Sequence, residues 1–148
     1  MDNVAVKIIL ADDDESDRLI FIEAFSEIRI KADVVALHDG KQLMEYLDKN
    51  NVDLPAIIFL DLNMPRKTGV ECLKEIRATK KYKDIPIAIY STSSSKNDIE
   101  ESFQYGANVY LKKPSDFNKL KEALYKVVSS ANPFLEPIFN IDNFLMKV

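Results

Sequence analysis

The chain predicts an α/β domain of the doubly wound kind, a parallel sheet with helices on both faces. Five short apolar runs, rich in β-branched residues, have the length of buried strands. Stretches with helical spacing of apolar residues fall between and after them. The two kinds alternate strictly, and right-handed crossovers then put helices on both sides of the sheet.

Each element follows from its own residues. The run 6–11 is the first strand, and the helix 16–28 places Leu19, Phe21 or Ile22, Phe25 and Ile28 along one stripe. The second strand is 33–37, and the helix 41–50 carries Leu43, Met44 and Leu47. The third strand, 56–60, contains Ile57, Ile58, Phe59 and Leu60, and the helix 69–79 carries Val70, Leu73 and Ile76. The fourth strand is 85–91, and the helix 97–105 carries Ile99 and Phe103 and stops at Gly106. The fifth strand is 108–112, and the helix 116–128 carries Phe117, Leu120, Leu124 and Val127. The domain spans 1–128, and an apolar extension, 129–148, follows it. That extension includes Pro133, Pro137, Phe134, Phe139, Phe144 and Leu145, too apolar a composition for a free linker. It reads as a strap over its own domain or as a contact for a dimer or another partner.

Composition narrows the function. The 148 residues are 47% hydrophobic and 30% charged, enough for one well-filled core. A net charge of −4 with no basic arm argues against nucleic-acid binding. Apolar runs are far shorter than a membrane span, and the start Met1-Asp2-Asn3-Val4 lacks the pattern of a signal peptide. The single cysteine, Cys72, excludes an internal disulfide and suits a reducing cytoplasm. It falls near the apolar stripe of its helix and reads as a buried thiol.

In an open α/β sheet the site lies beyond the carboxyl ends of the strands. Asp12, Asp13 and Asp14 follow the first strand, Asp61 the third, Ser91 and Thr92 the fourth, and Lys113 the fifth. Carboxylates brought together repel one another, and a hard divalent cation relieves the repulsion. Mg²⁺ typically takes one or two carboxylates and a phosphate oxygen. A carboxylate beside it is placed to attack phosphorus, with Lys113 and Ser91 each available to a phosphoryl oxygen. Asp14 reads as the cap of the next helix, Ser95 as another cap, and His38 as a surface residue.

Four motifs carry a resemblance: 8–14 with Asp12-Asp13-Asp14; Leu60-Asp61-Leu62-Asn63-Met64-Pro65 with Gly69; 85–92 ending in Ser91-Thr92; and 106–114 ending in Lys112-Lys113-Pro114. In this order and spacing the chain resembles the receiver domain of two-component response regulators, of the single-domain type. The resemblance implies a flavodoxin-like (βα)5 sandwich with a five-stranded parallel sheet in order 2-1-3-4-5. It implies Asp61 as phosphoacceptor and Asp12, Asp13, Asp61 and the Asn63 backbone carbonyl as ligands of Mg²⁺. Lys113 would bridge to the phosphoryl group, with Ser91 and the Thr92 backbone beside it and Tyr110 as the switch aromatic. The face built from the fourth helix, fifth strand and fifth helix would then report phosphorylation. The Lys113-Pro114 bond is similar to one that is commonly cis in the family.

The resemblance also implies partners: a sensor histidine kinase or histidine phosphotransfer protein, and a downstream protein reached by contact. Some single-domain receivers with similar extensions, including those resembling cyanobacterial phytochrome partners, form homodimers through the side of the fourth and fifth helices, so the resemblance allows a homodimer here. Nothing after residue 128 reads as a DNA-reading module. The chemistry is that of a phosphoacceptor and not of a turnover enzyme. Ser93 and Asn63 stand where phosphate lifetime is tuned in the family, and neither is Glu or Gln, which implies slow to moderate self-dephosphorylation. Two other readings compete. A haloacid-dehalogenase-type phosphohydrolase also uses an Asp after a strand, but it wants a second Asp where Asn63 stands. A phosphorylation-independent scaffold would have no need of clustered carboxylates.

Overall fold

The computed structural model describes residues 5–49, 53–129 and 144–146. Five βα units follow in order. They are β1 (Val6–Ala11) with α1 (Glu15–Ser26), β2 (Ala32–Leu37) with α2 (Gly40–Leu47), β3 (Ile57–Leu60) with α3 (Gly69–Ala78), β4 (Ile87–Ser91) with α4 (Lys96–Gln104), and β5 (Val109–Lys112) with α5 (Phe117–Ser129). A sixth strand, β6 (Leu145–Met146), comes from the extension. The sheet order is β2-β1-β3-β4-β5-β6 and every pairing is parallel. The expected order of the first five strands is therefore present, and the expected count of five is corrected to six. The open edge of β5 accounts for the difference: its unpaired backbone groups take up Leu145 and Met146.

Alternate strand residues feed two cores, because side chains along a strand point to opposite faces. Ile9, Ile58, Leu60, Ile87, Ile89 and Tyr110 pack with α2, α3 and α4. Ile8, Leu10, Ile57, Phe59, Tyr90 and Leu111 pack with α1 and α5. Both faces are covered, so the strands read as continuous apolar runs instead of alternating ones. Phe144 is fully buried in the first core, 5.3 Å from the ring of Phe103 and 6.1 Å from that of Tyr110.

Caps set the helix starts. Asp14 accepts from the Asp17 amide and opens α1, Thr68 and Glu71 form a reciprocal capping box on α3, and Ser95 caps α4. Gly106, at φ 96°, ends α4 in a conformation that glycine adopts without strain. Strand β4 begins two residues later than the apolar run suggests, after Pro86, which has no N–H to give to a ladder. Helix α2 ends at Leu47, and Asn50, assigned to it from the sequence, lies outside the described residues. No cis peptide occurs among the described residues, so Lys113-Pro114 is trans, the form X-Pro bonds prefer by about 0.5–1 kcal/mol.

Candidate functional site

The backbone ladder runs past the strand ends into the site. The Asp12 amide donates to Leu37 O at 3.0 Å, the Asp61 amide to Ala11 O at 3.0 Å, and the Lys113 amide to Ser91 O at 2.8 Å. Register alone therefore brings residues from three strands to one edge. The loop after Asp61 is closed by Gly69, whose amide donates to Leu62 O at 2.9 Å. A Cβ on Gly69 would lie 2.2 Å from Asp61 O, so only glycine allows α3 to start so close to the acid.

Carboxylate oxygens of Asp12, Asp13 and Asp61 lie within 4.8 Å of one another. Asp12 is fully buried and Asp61 nearly so, whereas Asp13 is exposed. The Asp12 Oδ1 atom accepts from the Asp14 amide at 3.0 Å. Its Oδ2 atom is 2.8 Å from Lys113 Nζ, yet it accepts no aligned hydrogen bond. A buried carboxylate oxygen without such a partner is costly. Burial is the chief influence on Asp12 and pushes its pKa from 3.8 to about 6, against the pull of Lys113. A buried oxygen that no aligned hydrogen bond satisfies, two further acids and an open rim at Asp13 form a donor set that fits a hard divalent cation.

Lys113 reaches the acids from β5. Its Nζ donates to Asp61 Oδ2 at 3.3 Å and to Asp17 Oδ2 at 2.8 Å. It also lies 5.2 Å from the centre of the Tyr90 ring. Burial opposes the charged ammonium, but Asp12, Asp17 and Asp61 outweigh it and hold the Lys113 pKa above the ordinary lysine value.

Ser91 and Tyr110 form a second group, joined through Ser93. Ser91 is fully buried, and its Oγ accepts from the Ser93 amide at 3.2 Å. The Tyr110 hydroxyl donates to Ser93 O at 2.8 Å, and its ring is fully buried. Ser93 Oγ donates to Asp98 at 2.6 Å, which ties the loop after β4 to α4. Thr92 and Asn63 are exposed at the ends of their loops, with the Asn63 amide 3.4 Å from Asp61 Oδ1.

The structure also resolves the remaining assignments. Cys72 is buried, and burial pushes its thiol up to about 12. His38 is exposed. Two residues of consequence were not read from the sequence. Asp17 stands at the third position of α1 and binds Lys113. Arg77 of α3 donates to Lys83 O, Ile85 O, Gly106 O and Asn108 Oδ1, all at 2.8–3.0 Å, and so locks the approach to β4 and β5. For Asp17 the sequence offers only a carboxylate at the third helix position, one turn from the acidic pair, which does not single out a partner for Lys113. Arg77 gives no comparable signal.

Residues 8–125 match the response regulator receiver domain, and the chain belongs to that family. Response regulator Rcp1 of Synechocystis is 32% identical over 131 residues, covering 86% of each chain. The crystal structure of the phosphorylated cyanobacterial phytochrome response regulator RcpA superposes with a TM-score of 0.80 at 31% identity, covering 87% of this chain and 95% of that one. The manganese-bound form of Rcp1 superposes with a TM-score of 0.76 at 29% identity, covering 90% and 96%. The protein is thus a phosphorelay response regulator with a receiver fold, and the phosphohydrolase and scaffold readings are not favoured. Receivers bind a divalent metal, in keeping with the acidic cluster here. Among the described residues no helix is long and apolar enough to cross a membrane.

Proposed function

We propose that Asp61 accepts a phosphoryl group from a phosphohistidine, donated by a sensor histidine kinase or a histidine phosphotransfer protein. The observation that carries this reading is the convergence of three acids and one buried lysine on a single sheet edge. A carboxylate oxygen of Asp61 attacks phosphorus, the phosphorus–nitrogen bond breaks, and the imidazole departs with its electron pair. Asp12, Asp13, Asp61 and the Asn63 backbone carbonyl would hold Mg²⁺, which supplies positive charge beside the transferring group. Lys113 offsets charge on a second phosphoryl oxygen, and Ser91 and the Thr92 amide serve a third. The protein keeps the group instead of releasing product, so it acts as a phosphoacceptor and not as a turnover enzyme.

The readout runs through Ser91, Ser93 and Tyr110. A phosphoryl group that draws the Ser91 hydroxyl toward Asp61 pulls on the Ser93 loop that Tyr110 grips. The face of α4, β5 and α5 then presents a different surface to a downstream protein. The extension serves as a strap on this face or as a contact in a homodimer, and the site of action is the cytoplasm. Exposed Leu19, Ile20 and Ile22 on α1, the helix that starts at the site, support recognition by a protein partner.

The test is intact mass after incubation with an acyl phosphate, with and without Mg²⁺. The expected result is one Mg²⁺-dependent phosphoryl adduct, absent in Asp61→Asn. No adduct in the native chain, and no binding of a fluoride phosphate mimic, would overturn the reading.

A further inference from the structure

Four groups surround the Lys113 ammonium, and they do not play equal parts. The Tyr90 ring lies 5.2 Å away. Asp12 Oδ2 is close, at 2.8 Å, but out of line. Asp61 Oδ2 takes a hydrogen bond at 3.3 Å, and Asp17 Oδ2 takes the shorter one at 2.8 Å. Asp17 is the one carboxylate of these three outside the group able to hold a cation.

A divalent cation on Asp12, Asp13 and Asp61 would engage two of the acids near Lys113 and repel the ammonium itself. Asp17 would keep its charge and its bond. Its position favours that role: Asp14 fixes the Asp17 amide at 3.0 Å, so the cap of α1 also sets where the Asp17 carboxylate stands. An ammonium has three N–H groups. One anchored on Asp17 leaves the others free for Asp61 and for what Asp61 carries. Lys113 is nearly buried, and a lysine stem has four rotatable bonds, so without an anchor the head group has other places to go.

We propose that Asp17 is a positioning residue for phosphoryl transfer, anchoring Lys113 against Asp61 independently of the metal. The inference rests on the reading of Asp61 as phosphoacceptor. A misplaced charge near the reacting atoms is expensive in rate, since a shift of about 1 Å can cost up to about 100-fold. Lys113 keeps part of its alignment through Asp61, so Asp17→Ala is expected to lower the saturating rate of phosphorylation by about tenfold. Asp17→Asn keeps the volume and one oxygen acceptor, and is expected to lose about threefold.

The experiment measures the rate of adduct formation from an acyl phosphate at saturating Mg²⁺, by intact mass, in the native chain, Asp17→Ala, Asp17→Asn, Lys113→Ala and the double variant. Mn²⁺ binding, followed by electron paramagnetic resonance without phosphodonor, is expected to shift by less than about threefold in Asp17→Ala, because screening weakens the effect of a part-exposed charge. In the Lys113→Ala background, removing Asp17 is expected to change the rate by less than about twofold, since the residue acts only through Lys113. A general structural defect would lower the rate in both backgrounds. A native-like rate in Asp17→Ala, or an equal fall with and without Lys113, overturns the inference. If the native chain takes no phosphoryl group, the reading of Asp61 fails first and the inference falls with it.

Discussion

Asp12 and Lys113 are the residues where the site's chemistry weighs on stability. A carboxyl whose folded pKa lies above its unfolded value binds its proton more tightly in the folded state. For Asp12, raised from 3.8 to about 6 chiefly by burial, the contribution is full below about pH 4 and is lost as pH rises through about 6. The difference is about 3 kcal/mol at most, from two pKa units at 1.36 kcal/mol each. Asp12→Asn removes the penalty. In chelator, its melting temperature should match the native chain near pH 4 and exceed it by about 5 °C or more at pH 7. A difference that does not vary with pH contradicts this. Gly69 is a second test at this scale, because an added Cβ would meet Asp61 O at 2.2 Å and Leu62 Cα at 2.7 Å. Gly69→Ala should cost about 1–3 kcal/mol in a thermal melt and slow phosphorylation as well. Native stability and rate together would show that the close approach is dispensable.

At the scale of elements, the first five strands and all five helices are legible in the sequence. Their apolar runs are buried on both faces, and β-branched residues favour the pleated surface. The caps Asp14 and Ser95 were legible for the same reason, since short polar side chains satisfy free amides at helix starts. Strand β6 was not. Two residues give no periodicity, and what makes Leu145 and Met146 a strand is the edge of β5, which exists only after folding. Phe144 anchors that strand between Phe103 and Tyr110. Phe→Ala in a core typically costs about 3–5 kcal/mol, but a short terminal strand can detach instead of leaving a cavity. Phe144→Ala should therefore lower the melting temperature only slightly, while hydrogen exchange accelerates by about tenfold or more at the one of the Tyr110 and Leu111 amides that faces β6. Unchanged exchange in β5 would mean that the extension does not protect this edge.

For the whole molecule, the strand order places the site where the chain reverses direction across the sheet, between β1 and β3, with β5 supplying the cation. Asp12, Asp13, Asp61, Ser91 and Lys113 could be found from the sequence because each directly follows or ends a legible strand. Asp17 and Arg77 could not, because their partners lie far along the chain: 96 residues for Asp17 with Lys113, and 31 for Arg77 with Asn108. The fold thus brings together what spacing alone leaves apart, and its function turns on which of the assembled acids takes the phosphoryl group. Borohydride reduces an aspartyl phosphate to homoserine, which peptide mapping locates. After phosphorylation with Mg²⁺, homoserine should appear at position 61 alone, in place of Asp61. Homoserine at position 12 or 13, or at no acid of the site while an adduct is present, would rule out Asp61 as the phosphoacceptor.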